Sequence, residues 1–335
     1  MRKIEITTIL LFIIVLSISA VSATDLNSIS LSNHDINDVS AVSSVDNASS
    51  TISTNAQSNN VSDSNLNIIS SSAKTVSVTD SSYSKYFDND GNLLSTSGVN
   101  SGDTIDLSGT FNNRNFTIKT PLTITSSSNN AILYNATISI YNTGSGSTIS
   151  NLKIINSNDD GTGIMLYNAT NNVIKNNNIS VNGLRGFAVA LNTGSDYNTI
   201  SNNYLKTTET SIVGKTHSTL VLGGANYNNI KDNYVTNDGV NAIYLSLYGS
   251  GKFSGGLCYF NNITGNTVTC LIDNPTSWNY GIQMMGANNK AFNSSVTGTY
   301  RGISSSCNNN DIISNNVSGV IGDYGIYGSD NSTIS

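Results

Sequence analysis

The sequence predicts an all-β chain, a right-handed parallel β-helix of about nine or ten coils, and three observations carry that prediction. A short apolar frame recurs every 21 to 33 residues, Asn, Ser and Thr replace charged residues throughout, and only two prolines interrupt 335 residues. Charged residues make up 11%, against roughly 25% in an ordinary globular chain. Asn, Ser and Thr compete with a helical backbone for its hydrogen bonds, so a surface built from them disfavours helices. Scarce proline leaves long stretches free to pair as strands.

The first element is a secretory signal over residues 1–23. Arg2 and Lys3 give a positive start, Ile9 to Ile18 is nearly all aliphatic, and Val21-Ser22-Ala23 supplies small residues for cleavage. An apolar run of roughly a dozen residues is short of the ~20 that cross a bilayer. Cleavage near Ala23 is therefore expected in preference to an uncleaved anchor. The mature chain is expected at the cell surface or in the cell wall, with no membrane span after cleavage. Residues 24–74 hold no aromatic, glycine or proline. Such a stretch buries too little apolar area to offset its chain entropy and reads as a disordered Ser/Asn-rich leader. Its scattered Ile29, Leu31, Ile36, Val39 and Val42 leave one loose strand as the alternative.

Residues 75–125 read as an N-terminal cap and the first coils. Tyr83, Tyr86 and Phe87 appear, and then Gly102-Asp103-Thr104-Ile105-Asp106-Leu107-Ser108-Gly109, a strand set between glycines. Phe116-Thr117-Ile118 and Leu122-Thr123-Ile124-Thr125 alternate apolar and polar, as half-buried strands do.

Residues 126–335 carry the repeat. Asn198-Thr199-Ile200-Ser201-Asn202-Asn203-Tyr204-Leu205 matches Asn228-Asn229-Ile230-Lys231-Asp232-Asn233-Tyr234-Val235. Ile149, Ile174, Ile200, Ile230, Ile263, Phe292, Ile313 and Ile334 read as the successive inward residues, with a one-residue ambiguity in the last two intervals. A second apolar strand, often introduced by glycine, lies between frames, as in Gly163-Ile164-Met165-Leu166 and Gly281-Ile282-Gln283-Met284. Two or three short strands per repeat of this length mean a solenoid. Each strand is too short to be stable alone, but coils stacked about 4.8 Å apart pair it above and below. Asn177, Asn203, Asn233, Asn266 and Asn316 stand three residues after the inward aliphatic. They are expected to take the left-handed conformation of a sharp turn and to bond one another as a ladder. The final Asn331-Ser332-Thr333-Ile334-Ser335 opens a coil, and an exposed last coil is expected to be covered by a C-terminal continuation or a docking partner.

The Asn-x-Ile-x-Asn-Asn-x-Ile frames alternating with Gly-Ile-x-Leu strands resemble the parallel β-helix repeats of the pectin-lyase-like superfamily. More narrowly, Tyr83-Ser84-Lys85-Tyr86-Phe87-Asp88, Gly102 through Gly109 and Thr148-Ile149-Ser150-Asn151-Leu152 resemble adhesin-like surface proteins of archaea, from about residue 75 to the end. That resemblance implies the fold. It leaves function open, because the superfamily includes lyases, hydrolases, epimerases and adhesins. Its galacturonase-like members carry Asn-Thr-Asp, Asp-Asp, Gly-His-Gly and Arg-Ile-Lys in consecutive coils. Here Asp159-Asp160 is the candidate aspartate pair and reads as a turn with Gly161. His34 and His217 are the histidines, neither in Gly-His-Gly, and no Arg-Ile-Lys occurs. No catalytic residue, metal site or cofactor is therefore expected.

Net charge is −6 with no basic cluster in the sequence, so nucleic acid is not an expected partner. Three cysteines exclude a disulfide scaffold, though Cys258 and Cys270 offer one possible bridge. Ten Asn-x-Ser/Thr sequons are compatible with glycosylation. The two longest intervals, Ile230 to Phe292, must protrude as loops. These hold Tyr248, Phe253, Tyr259, Phe260, Trp278 and Tyr280, with Tyr248, Phe253, Tyr259, Trp278 and Tyr280 the candidate ligand-binding set. Aromatic faces beside an Asn-rich wall suit sugar rings; packing of the loops onto the rod is the alternative. The leading expectation is a non-catalytic adhesin-like protein that binds a surface glycan or cell-wall polymer. The rivals are a polysaccharide lyase or hydrolase of the same fold, and a structural wall spacer.

Overall fold

Residues 72–208, 218–238, 240–246, 255–271 and 279–335 are described by the structure, a computed structural model. The expected signal peptide and nearly all of the expected leader lie outside the described residues. Strand Thr75–Val78 edges the first sheet, and from Thr104 onward the coils run through three sheets in turn. The first sheet has 11 strands, and the second and third have nine each. All strand pairs within the sheets are parallel and join residues about one coil apart, as Val173↔Thr199, Ile174↔Ile200 and Lys175↔Ser201 do in the first sheet. This is a parallel β-solenoid of about nine turns.

The inward positions make one continuous aliphatic core. Ile105, Ile124, Ile149, Ile174, Ile200, Ile230 and Ile263 stack in the first sheet, each fully buried. Near the end the register differs from the sequence reading by one residue. Ala291 and Ile312 are the buried members, and Phe292 and Ile313 face outward. Both sites hold two adjacent apolar residues, so alternation alone does not say which points in. Leu133, Ile154, Ile179, Leu205, Val235, Val268 and Val296 fill the second sheet's inner row. The third contributes Ile138, Ile164, Val189, Leu220, Ile243, Ile282 and Ile303.

The corner from the first to the second sheet has two residues, as in Asn176-Asn177 between strands Val173–Lys175 and Asn178–Val181. The left-handed residue is the first of the two: Asn151, Asn176, Asn202, Asp232, Gly265, Asn293 and Ser314 all have φ between 48° and 66°. The second points inward. Asn203 is typical: its Oδ1 accepts the Asn177 backbone N–H at 2.9 Å, and its Nδ2 donates to Ile174 O and to Asn233 Oδ1. The run continues through Asn177, Asn203, Asn233 and Asn266 to Ser294, and then to Asn315 rather than Asn316. Asn316 is exposed at the start of the next strand, a consequence of the same one-residue shift.

A second ladder lies at the corner from the third sheet back to the first. Ser147, Asn172, Asn198, Asn228, Asn261, Asn289 and Asn310 are buried and bonded coil to coil. Each again follows a left-handed residue: Gly146, Asn171, Tyr197, Tyr227, Phe260, Asn288 and Asn309. At the remaining corner, close packing explains the recurrent glycine. A Cβ at Gly302 would lie 2.2 Å from Gly325 O.

The two ends of the rod differ. A 3₁₀ helix, Asp80–Lys85, closes the first end with Tyr83 and Phe87, whose rings pack on Phe116 at 5.5 and 5.1 Å. At the other end Ile321, Tyr327 and Ile334 are exposed.

Candidate functional site

The left-handed corner position is met at least cost by Asn or Gly, since a bulky side chain there crowds the following carbonyl. Asn171, Asn288 and Asn309 follow that rule, but Tyr197, Tyr227 and Phe260 break it in three successive coils at φ 56–59°. Their rings stack almost parallel, Tyr197 on Tyr227 at 4.9 Å and Tyr227 on Phe260 at 4.9 Å. This is the coil spacing, so the backbone repeat sets the ring repeat. All three rings stay about half exposed, between 46% and 56%.

A second aromatic pair stands on the same coils, beyond the opposite corner of the first sheet. Tyr204 and Tyr234 open strands Tyr204–Thr207 and Tyr234–Asn237, stack at 5.2 Å, and are also exposed. Tyr197 and Tyr204 are seven residues apart, at most about 23 Å of extended chain. The outward side chains between the two stacks are Thr199, Ser201, Asn229, Lys231, Asn262 and Thr264. The result is a flat polar strip with an aromatic wall on each side. Ring faces within each stack are used by each other. What the walls offer outward is ring edges, four tyrosine hydroxyls and the terminal ring faces.

Of the ligand-binding set expected from the sequence, Tyr259 and Tyr280 lie among the described residues. Tyr248, Phe253 and Trp278 fall outside the described residues. Tyr259 is half buried beside Phe260. Tyr280 is only 6% exposed, its hydroxyl accepting a 2.6 Å hydrogen bond from Arg301, and so presents no free ring face. Arg301 also donates to Asp323 and lies within 6 Å of the ring centroids of Tyr280, Tyr300 and Tyr324. The Asp323 hydrogen bond holds its guanidinium firmly protonated. This cluster ties together three successive coils. Among the described loop aromatics, Phe260 belongs to the exposed walls. Tyr197, Tyr204, Tyr227 and Tyr234 are not among the expected residues, although the sequence shows Tyr197 and Tyr227 directly before a ladder Asn and Tyr204 and Tyr234 directly after one.

Asp159 and Asp160 sit on a turn bound to the next coil. Asp160 has φ 54° and pairs with Arg185 through 2.6 and 2.8 Å hydrogen bonds, and Asp159 accepts the Leu184 backbone N–H. Cys258 and Cys270 are both buried free thiols, so the possible bridge is not formed. Cys258 lies before the corner into the first sheet, and Cys270 ends a second-sheet strand, so they occupy different corners. Burial raises both pKa values, that of Cys270 to about 12. Among the described residues no group of three or more His, Cys, Asp or Glu side chains is placed to hold a metal. No helix among them is long and apolar enough to cross a membrane.

No family model and no curated protein matches the sequence. Among solved structures the chain is similar to the pectate lyase Pel9A, at 12% identity over 78% of this chain and 77% of that one, with a TM-score of 0.47. It is also similar to an alginate lyase from Paenibacillus sp. str. FPU-7, at 14% identity over 78% and 99%, with a TM-score of 0.40. A tailspike protein of an E. coli bacteriophage in complex with a pentasaccharide aligns at 11% identity over 78% and 58%, with a TM-score of 0.37. At these values the likeness is one of coil architecture alone.

Proposed function

We propose that this chain is a secreted, adhesin-like surface rod that binds carbohydrate without cleaving it. The observation that carries this reading is the aromatic wall Tyr197–Tyr227–Phe260. A left-handed non-glycine residue costs roughly 1–2 kcal/mol, hence about 3–6 kcal/mol for the three. Two ring-stacking contacts return about 1–3 kcal/mol beyond area burial, and the buried half of each ring adds about 2 kcal/mol. The rod therefore tolerates the wall but does not require it, since the coils on either side fill the same position with Asn171 and Asn288. Exposed rings beside a strip of hydroxyl and amide groups match a sugar, which presents C–H edges and hydroxyls together. The engagement of Asp159 and Asp160 in inter-coil bonds supports a structural role for the aspartate pair. The secretory start of the sequence supports display outside the cell.

The test is a glycan array probed with the whole chain and with the Tyr197→Asn/Tyr227→Asn/Phe260→Asn variant. The same polymers are then assayed for new reducing ends or unsaturated products. The expected outcome is polymer binding that the variant loses, with no chain cleavage. Shortened polymer would sink the non-catalytic reading, and unchanged binding in the variant would remove the aromatic wall from it.

A further inference from the structure

Most cations of the described residues are accounted for. Lys74, Arg114, Arg185, Lys290 and Arg301 pair with aspartates, and Lys119 donates to Asn92 and lies over the Tyr141 ring. Apart from Lys85 in the N-terminal cap, the remainder are Lys153, Lys175, Lys206 and Lys231. These four make no ion pair among the described residues, and they are not scattered.

Each belongs to a different one of four consecutive coils, and all four flank the corner between the first and second sheets. Lys175 and Lys231 occupy the same outward row of the first sheet, separated by Ser201. Lys153 is in strand Lys153–Asn156 and Lys206 in strand Tyr204–Thr207, both second-sheet strands. Their strand neighbours are uncharged: Ser150, Ser201 and Thr264 on one side of the corner, Asn178, Ser180 and Thr236 on the other. Asp232, at the corner itself, is the one acidic residue of these four corners and their outward rows. A chain of net charge −6 thus keeps a net-positive band, four lysines to one aspartate, about 14 Å long, three coil steps at the inter-strand spacing. Lys175 and Lys231, two coil steps or about 10 Å apart, lie within about one Debye length and repel. The band straddles the row of Tyr204 and Tyr234: Lys153 shares that row, Lys206 stands two residues beyond it, and Lys175 and Lys231 lie on the side of the polar strip.

We infer that this corner binds a linear polyanionic glycan, one bearing carboxylate or sulfate groups at regular intervals, laid along the rod axis. Carboxylates repeating along an extended polymer meet one ammonium per coil, and the Tyr204 and Tyr234 hydroxyls face the same edge. The inference rests on the carbohydrate reading above and narrows it to charged polymers. Its electrostatic part is separable, because lysine ammonium groups act as point charges screened by salt, whereas the aromatic walls do not.

The experiment measures binding of the whole chain to polygalacturonate and dextran sulfate, each against its uncharged counterpart, methyl-esterified pectin and dextran, over a range of NaCl. The charged polymers are expected to bind and to weaken as salt rises. Lys175→Gln/Lys231→Gln is expected to lower their affinity about tenfold, two exposed ion pairs' worth, and to flatten the salt dependence. Lys85→Gln, outside the strip, is expected to change neither. Equal binding of charged and uncharged polymers would overturn the charge assignment while leaving the carbohydrate reading in place. An unaltered affinity and salt slope in the double variant would overturn it as well. Absence of binding to all four polymers would count against both.

Discussion

The first coils and the middle coils close the same cross-section by opposite means. Around residues 80–118 the interior is sealed by a cluster of rings, Tyr83, Phe87, Phe111 and Phe116, packed at centroid distances of 5.1 to 6.0 Å. From Ser147 onward two asparagine ladders run along the core edges, and no comparable ring cluster is needed. The difference follows from what lies on each side. An interior Asn has a coil above and a coil below, so its two lone pairs and two amide hydrogens all find partners, and a buried polar group is then inexpensive. At the end of a rod one of those partners is missing. Apolar rings, which demand no partner, suit that end. The fold thus uses polar closure where the repeat continues and apolar closure where it starts.

The largest effect expected from this contrast is in the cap. Phe116→Ala removes the ring on which three others pack, and about 3–5 kcal/mol of local stability is expected to go with it. Hydrogen exchange is expected to rise in residues 75–141 and to change little beyond, since each coil touches mainly its neighbours. Asn203→Ala tests the ladder. It takes the side-chain partner from Asn177 N–H and Ile174 C=O, while Asn233 Oδ1 keeps only the Asn203 backbone N–H, and a loss of about 3 kcal/mol is expected in denaturant unfolding. A loss below about 1 kcal/mol would mean that water replaces the ladder at little expense.

A smaller effect is expected from acid. The backbone N–H groups of Lys74 and Asn100 bond the Asp103 carboxylate and hold its pKa below the usual range. The folded pKa is the lower one, so this contribution is present above about pH 4 and is lost as pH falls through the folded value. Exchange at Lys74 and Asn100 is expected to accelerate only on such acidification, and Asp103→Asn is expected to remove the step. The least perturbing test is thiol titration of the native chain. Burial raises the pKa of Cys258 and Cys270, whereas Cys307 is partly exposed. One of the three thiols is expected to react rapidly, and fast reaction of Cys270 would contradict the closed middle coils.

Much of this architecture is legible in the sequence because the coil repeat writes one inward aliphatic per strand. Ile200 and Ile230 are unambiguous, each flanked by polar residues. Where two apolar residues adjoin, as at Ala291-Phe292 and Ile312-Ile313, alternation loses its meaning and the register slips by one, carrying Asn315 into the place expected of Asn316. The second ladder was obscured differently. Asn172, Asn198 and Asn228 stand two residues before the same isoleucines, but in so Asn-rich a chain the excess is hard to separate from composition. Backbone handedness was assigned to the wrong member of each corner pair. Asn176 turns the chain and Asn177 fills the core, a division that only coordinates reveal. The sequence points to the swollen coils for a site, and the exposed walls stand on regular corners. Tyr197, Tyr227 and Phe260 each stand three residues before an inward isoleucine, an alignment legible in the sequence, but only coordinates show their rings stacked and half exposed.

The measurement that tests the account most directly sets stability against binding in a single substitution, Tyr227→Asn. That residue has a stacked ring on both faces, and Asn suits its left-handed backbone at φ 56°. The account predicts a thermal midpoint no more than about 8 °C below the parent, because relieved strain offsets part of the lost stacking and ring burial, together with a marked fall in polysaccharide affinity. A large drop in midpoint with affinity unchanged would contradict it, and would make the aromatic wall a support of the rod rather than its contact surface.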